Sequence, residues 1–124
     1  MKTPHYNLFL DDERDPQHVH WKHEVEYTHY RWVVVRTAAQ FIAQLVTHGI
    51  PAFVSFDNDI QDFTGKDGKE ITGYDMAKML CYFCIDNNIK FPKVVSHSKN
   101  VVDQPKIEAI FKNATYHHPH LKNA

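Results

Sequence analysis

The chain has 124 residues, enough for one domain around a single hydrophobic core and too few for two ordinary domains. Hydrophobic residues make up 43% of it, as in soluble globular proteins, and a formal net charge of -1 argues against binding duplex DNA by phosphate neutralisation. No apolar run approaches membrane-spanning length, and the first residues do not resemble a signal-peptide core. We therefore expect a cytoplasmic protein with both cysteines reduced, and the sequence leaves its oligomeric state open.

Short apolar segments alternate with helical patterns along the chain. The predicted strands are residues 6–10, 32–36, 52–56 and 93–96. Each predicted helix begins at a polar capping residue, and these residues are Thr37, Thr72 and Asp103. The predicted buried stripe of the first helix is Phe41, Ile42, Leu45 and Val46, and that of the second is Met76, Leu80, Phe83 and Cys84.

Strands that alternate with helices predict a parallel sheet with right-handed crossovers. The first crossover, residues 14–30, lacks a helical period and is expected to be irregular. Residues 60–71 are predicted as a loop, residues 113–124 as a histidine-rich tail, and residues 115–117 as a possible short edge strand. The prediction is an α/β, small flavodoxin-like three-layer fold with a mainly parallel sheet of four to five strands and a reduced first helix.

Polar side chains follow three of the predicted strands at the point where each strand ends. They are Asp11 and Asp12, Asp57 and Asp59, and His97 with Ser98 and Asn100. The carboxyl ends of parallel strands share one edge of the sheet, where ligands bind. Two carboxylates about 4 Å apart repel by roughly 1 kcal/mol in water and about 4 kcal/mol near a protein surface. A cation is therefore expected among the four acids, and oxygen ligands favour Mg²⁺ or Mn²⁺.

The remaining candidates are groups that could hold a phosphate or move a proton. His97 is the candidate acid or base, and its alternative is a hydrogen-bonded structural histidine. The planar guanidinium of Arg14 could bind a phosphate with two hydrogen bonds, and the alternative role of Arg14 is an ion pair with Glu13 or Asp15. The other candidate substrate contacts are Ser98, Asn100, Lys99 and Thr72. For these four, shaping a turn, capping a helix or lying solvated at the surface is the alternative.

Four motifs in order give the sequence a family resemblance. They are Leu10-Asp-Asp-Glu-Arg14, Ser55-Phe-Asp-Asn-Asp59, Thr72-Gly-Tyr-Asp75 and His97-Ser-Lys-Asn100. The acids after strands one and three resemble response-regulator receivers, and the whole set is similar to the receiver-derived, cyclic-phosphate processing domains of bacteria and phages. The resemblance implies a single receiver-like domain over residues 1–124 that works in the cytoplasm of a bacterial cell or phage-infected host.

The chain departs from both patterns. It lacks the lysine that receivers carry after a fifth strand. It also has Val101, Asp103 and Lys106 where the cyclic-phosphate family has proline, glycine and asparagine. The missing lysine argues against a phosphorelay. The second departure changes residues that would line the phosphate side of the pocket.

The motifs together suggest a metal-dependent phosphoesterase that acts on a small cyclic phosphate or on an RNA end with a 2′,3′-cyclic phosphate. In this hypothesis the acids hold a cation that activates water, Arg14 holds phosphate oxygens, and His97 moves a proton to or from the departing ribose oxygen. Asp57, Arg14 and His97 are then the catalytic candidates. The alternatives are a receiver-type module phosphorylated on Asp57 and a non-catalytic protein that binds a phosphorylated nucleotide.

Overall fold

The computed structural model of the chain describes residues 5–123, in which a four-stranded sheet and three α-helices form the framework. The strands are β1 (Asn7–Leu10), β2 (Trp32–Val35), β3 (Phe53–Phe56) and β4 (Lys93–Ser96). The helices are α1 (Ala38–His48), α2 (Gly73–Asp86) and α3 (Asp103–His117). All strand pairs are parallel and the order is β2-β1-β3-β4, which confirms the predicted flavodoxin-like sheet.

The two faces of the sheet are covered by different kinds of structure. Leu8, Leu10, Val54 and Phe56 lie in one core cluster with apolar residues of all three helices. On the other face, Phe9 and Phe53 pack with Val19, Val25 and Tyr27 from the connection between β1 and β2. That connection contains only the 3-10 turns Pro16–His18 and Tyr27–His29, so it forms the third layer without an α-helix. The predicted reduced first helix is confirmed.

Helix starts follow local hydrogen bonding. The Thr37 and Thr72 hydroxyls accept the backbone N–H of Gln40 and Asp75, as the cap prediction requires. The predicted cap at Asp103 is wrong, because Asp103 is the first helical residue and the cap position is Val102, which makes no side-chain cap hydrogen bond. Instead, the carbonyl of Asn100 accepts the Asp103 backbone N–H.

Three predicted buried positions are exposed, and one predicted strand is helical. Ile42, Val46 and Phe83 are exposed, because they line an open apolar groove between α1 and α2 that nothing in the described residues fills. Residues 115–117 form the last turn of α3, where the Thr115 hydroxyl donates to the carbonyl of Phe111. The possible edge strand is therefore wrong, because α3 continues through it. Within the described residues, no helix combines the length and apolar character needed to cross a membrane.

Candidate functional site

The strand register places three side chains level with one another at the carboxyl edge. Leu10 pairs with Phe56, and Phe56 pairs with Ser96, so the next residue of each strand is Asp11, Asp57 or His97. Their backbone N–H groups continue the ladder, and Asp57 and His97 donate to the carbonyls of Leu10 and Phe56 at 2.9 Å each. Three adjacent parallel strands therefore bring these residues together.

His97 is fully buried and lies across β3 to reach the end of β1. Its Nε2 is 3.0 Å from Asp11 Oδ2, and its Nδ1 is 2.7 Å from the Ser55 hydroxyl. The ring stacks on Phe9, with 4.3 Å between centroids. Ser55 lies between Phe9 and β4 in the register, and its small side chain leaves room for the imidazole. The Tyr27 hydroxyl bonds to Ser55 at 2.7 Å, which extends the chain of buried polar groups.

Asp11 is surrounded by hydrogen-bond donors. Its Oδ1 accepts the backbone N–H groups of Glu13 and Arg14 at 2.9 and 2.8 Å, while Oδ2 faces His97. Burial alone raises the pKa of this carboxyl, but the contact with His97 and the two N–H groups outweigh burial and hold the pKa below its ordinary value. Burial also lowers the pKa of His97, against the opposing effect of Asp11. Asp11 is therefore stabilised in its charged form.

Asp57 is also buried but lacks a comparable set of donors. Burial, followed by the negative charge of Asp11, raises its pKa to about 7, and the nearby Arg14 offsets only part of this. Helix α2 packs tightly on the same segment, because the Gly73 N–H donates to the Asn58 carbonyl at 2.8 Å. A Cβ on Gly73 would lie 1.7 Å from the Asp57 carbonyl oxygen, so glycine is required at this contact.

Arg14 is the cation nearest to the two acids. Its Nη1 lies 3.6 Å from Asp11 Oδ2 and 4.0 Å from Asp57 Oδ2, and its side chain is about one-third exposed. The alternative partner Asp15 instead forms an ion pair with Arg36, whose Nη1 also donates to the carbonyl of Arg14. Arg36 thus holds the loop, and the guanidinium of Arg14 is left facing the acids.

The donor set at this edge could hold a metal ion. One ligand atom from each of Asp11, Asp57 and His97 lies within 4.8 Å of the others. Two carboxylates are suitable ligands for a hard divalent cation. The raised pKa of Asp57 indicates that its negative charge lacks sufficient compensation, so the residues present fit an added positive charge.

The other two predicted metal ligands lie outside this cluster. Asp12 is half-buried next to Asp11, and burial raises the pKa of its carboxyl. Asp59 is exposed, two residues beyond Asp57. Both remain candidates for contacts outside the three grouped ligands.

The predicted substrate contacts differ in how far their polar groups are already engaged in local hydrogen bonds. Ser98 is buried and its hydroxyl accepts the Asn100 N–H, while Asn100 Oδ1 accepts the Val102 N–H. Lys99 is exposed beside the site. Thr72 is half-buried and is engaged with Asp75 in the α2 capping box. The local hydrogen bonds thus support the turn and capping alternatives for Ser98, Asn100 and Thr72.

A cavity of about 420 Å³ opens beside the segment that follows Asp57, between the first turns of α2 and α3. Its lining residues are Asn58, Thr72, Tyr74, Asp103, Lys106 and Ile107. The volume falls within the range of small-molecule pockets. Thr72 is thus the one predicted substrate contact that lines this cavity.

Sequence reasoning missed four residues that build the site. Ser55 and Gly73 belong to the recognised motifs. The small side chain of Ser55 leaves room for the imidazole of His97, and the lack of a Cβ on Gly73 allows α2 to approach the Asp57 backbone. Tyr27 and Trp21 come from the irregular connection, where no periodicity signals their position. The Trp21 indole N–H donates to the His97 carbonyl at 2.8 Å, which joins this connection to the end of β4.

One comparison with known proteins gives a match. The family model described as the cyclic-phosphate processing receiver domain matches residues 6–113. No curated protein and no solved structure matches the chain significantly.

Proposed function

The chain belongs to the family of cyclic-phosphate processing receiver domains, and on that premise we propose that it is a metal-dependent phosphoesterase. The reaction would add water across one P–O ester bond of a cyclic phosphodiester, giving a phosphate monoester and a free hydroxyl. The substrate would be a small cyclic nucleotide or an RNA end with a 2′,3′-cyclic phosphate. The reaction would take place in the cytoplasm of a bacterial cell or of a phage-infected host.

The observation that carries the proposal is the pairing of two unlike carboxyls beside one guanidinium. Asp11 is held in its charged form by donors, whereas the pKa of Asp57 is raised to about 7 by burial and by the charge of Asp11. Such a pair attracts a cation, and Arg14 within 4.0 Å of both adds a group that can bind an anion. Together they suit a cation and a phosphate bound side by side.

Each residue at the edge then has a defined task. Asp11 and Asp57 would hold Mg²⁺ or Mn²⁺, with Asp12 and Asp59 close enough in sequence to bind its water ligands. When bound, the ion supplies Lewis acidity toward a phosphate oxygen. Arg14 would turn from the acids to the phosphate, since both the ion and the guanidinium are positive. The exposed Lys99 is a further substrate contact in this proposal, whereas Ser98, Asn100 and Thr72 shape the turn and the helix cap beside it.

His97 has two possible tasks, and the geometry favours the first. Because Nε2 contacts Asp11 and Nδ1 contacts Ser55, His97 is placed to orient Asp11 toward the ion. Proton transfer to the departing oxygen would require Nε2 to exchange Asp11 for the substrate. A His97→Gln variant separates the tasks. If His97 orients Asp11, the variant should bind the metal ion more weakly. If His97 transfers a proton, kcat should fall by about 10²–10⁴-fold with metal affinity unchanged.

The test is a turnover screen with Mg²⁺ or Mn²⁺ and with chelator as the blank. The substrates are 2′,3′-cyclic nucleotides, 3′,5′-cyclic nucleotides, cyclic oligonucleotides and an RNA with a 2′,3′-cyclic end. The proposal expects metal-dependent opening of one of these rings, lost in Asp57→Asn and retained in Asp67→Asn, which changes an exposed acid on the loop before α2.

Two other results would replace the proposal. Tight binding of a cyclic phosphate without turnover would identify a non-catalytic binding protein. A long-lived acyl phosphate on Asp57 after treatment with acetyl phosphate, seen by intact mass, would identify a phosphoacceptor module.

A further inference from the structure

Trp21 occupies a junction between the irregular connection and the candidate site. It is half-buried, and its indole N–H donates to the carbonyl of His97. The ring is therefore fixed at the carboxyl edge of β4, next to the residues that follow that strand. Nothing in the proposed function requires an aromatic ring at this position.

Two cations from different segments lie over this one indole. Arg14 Cζ is 5.3 Å from the ring centroid, and Lys99 Nζ is 4.8 Å from it. Arg14 comes from the loop after β1 and Lys99 from the loop after β4. The two positive charges repel each other, and contact with the negative π-system of this one ring offsets that repulsion and fixes each cation beside Trp21. Indole provides the strongest such face among the aromatic side chains.

The contact with Trp21 holds these cations without neutralising them. Among the ion pairs within residues 5–123, none includes Lys99. Arg14 is near two carboxylates, but at 3.6 and 4.0 Å it forms no close bidentate pair with either. Both cations therefore retain donors for an anion, in contrast to Lys22, whose buried ammonium bonds Glu108 at 2.6 Å.

We propose that Trp21 is the platform of a phosphate-binding site, on which Arg14 and Lys99 are held for one phosphate group. Trp21 is a positioning residue in this site, because it acts on the anion through the two cations. The proposal deepens the proposed function and rests on it for the identity of the anion, a phosphate ester. The site itself would bind inorganic phosphate whether or not the chain turns over a cyclic substrate.

A purely structural Trp21 is the competing explanation, since the indole N–H also anchors the connection to β4. Two substitutions separate the ring from the N–H. Trp21→Phe keeps an aromatic face and loses the N–H, whereas Trp21→Leu loses both. A platform predicts that phenylalanine retains most of the phosphate affinity, and an anchor predicts that the two variants are equally impaired.

The experiment is a titration with inorganic phosphate at low salt, with Mg²⁺ present so that Arg14 is released from the acids, followed by ¹H–¹⁵N NMR. In the unaltered chain the Trp21 indole signal is expected to shift saturably with phosphate. The Trp32 indole donates to the Tyr27 carbonyl away from these cations, and its signal serves as the internal reference that stays in place. The backbone amide of Lys99 reports affinity in the variants that lack Trp21.

Trp21→Leu is expected to weaken phosphate binding by about 5- to 30-fold, the loss of two cation–π contacts. Lys99→Ala is expected to weaken it by roughly 3- to 10-fold, and it tests the site even if Trp21→Leu does not fold. The matched control is Lys93→Ala, which removes a cation at 4.7 Å from the Phe53 ring at the opposite edge of the sheet and should leave the affinity unchanged.

Three outcomes overturn the proposal: no saturable shift in the unaltered chain, equal losses in the phenylalanine and leucine variants, or an unchanged affinity in Lys99→Ala. If a cyclic substrate is turned over, Trp21→Leu should raise KM while kcat changes little. A normal KM in that variant also counts against the platform, without affecting the proposed function. Phosphate binding that depends on Trp21, in a chain that opens no cyclic phosphate, supports the platform and refutes the enzyme.

Discussion

The ends of β1 and β3 differ sharply, although each places a buried carboxyl at the same edge of the sheet. At the end of β1, hydrogen bonds from His97 and from two backbone N–H groups outweigh burial and lower the pKa of Asp11. At the end of β3, burial and the charge of Asp11 raise the pKa of Asp57 to about 7. The fold itself stabilises the first charge, whereas the second charge depends on a cation supplied from outside.

Removing the partner that distinguishes the β1 end should have the largest effect on stability. His97→Ala deletes a fully buried ring, leaves Asp11 without its side-chain donor and opens a cavity beside Phe9. We expect the free energy of unfolding to fall by about 3–5 kcal/mol, measured by urea denaturation. A loss below about 1 kcal/mol would show that the buried polar chain does not support the site.

An isosteric change at Asp11 isolates its charge. Asp11→Asn keeps the shape but weakens the hydrogen bonds from Glu13 and Arg14, which are charge-assisted in the unaltered chain. The free energy of unfolding at pH 8 in chelator should fall by about 1.5–3 kcal/mol. If Asp11→Asn stabilises the metal-free chain instead, Asp11 and Asp57 are equivalent and the comparison fails.

The same change at Asp57 should have the opposite sign. Between about pH 4, near the pKa of an unfolded aspartate, and pH 7, the folded chain keeps a proton that the unfolded chain has lost. The metal-free chain therefore loses stability as the pH rises through this window. Asp57→Asn should remove that loss and be more stable by about 1–3 kcal/mol at pH 8, with no gain at pH 4. Thermal unfolding in chelator across this range is the measurement, and a destabilised variant at pH 8 would contradict it.

A third buried carboxyl sharpens the comparison because it has donors but no acidic neighbour among its hydrogen-bond partners. Asp62 accepts hydrogen bonds from the Thr64 hydroxyl and from the Ala38 N–H, the latter at 2.9 Å. These two bonds lower the pKa of the Asp62 carboxyl, and the bond from Thr64 has the larger effect. Asp62→Asn should cost about 0.5–1.5 kcal/mol in denaturant unfolding and leave metal affinity unchanged. A change in metal affinity would mean that any loss of a buried carboxylate disturbs the site.

Much of the fold was predictable because the signals are local. Apolar runs of four or five residues, the hydroxyl caps at Thr37 and Thr72, and the acids after strands one and three each act over a few residues. The α3 cap was wrong because Asn100, three residues before Asp103, supplies the carbonyl that accepts its N–H. The exposed Val46 was placed inside because periodicity shows which face of a helix is apolar but not whether another element covers all of that face.

The edge of the sheet was also predictable, but the contacts within it were not. Register places Asp11, Asp57 and His97 together, as strand-end positions imply. The imidazole, however, lies across β3 to Asp11 because Ser55 is small and Phe9 offers a flat surface, and both facts concern residues distant in the sequence. Tyr27 and Trp21 reach the site through a connection without period, so their roles depend on tertiary packing alone.

Calorimetric titration of Mn²⁺ and Mg²⁺ tests the central claim most directly, which is that Asp57 and Asp11 share one divalent cation. We expect one ion per chain, with unchanged affinity in the exposed-acid control Asp67→Asn. His97→Gln should lose about 10–100-fold in affinity, as for an outer partner of a ligand, and Asp57→Asn should lose more. Binding that is equal in Asp57→Asn and in the unaltered chain, or no binding in either, would contradict the account.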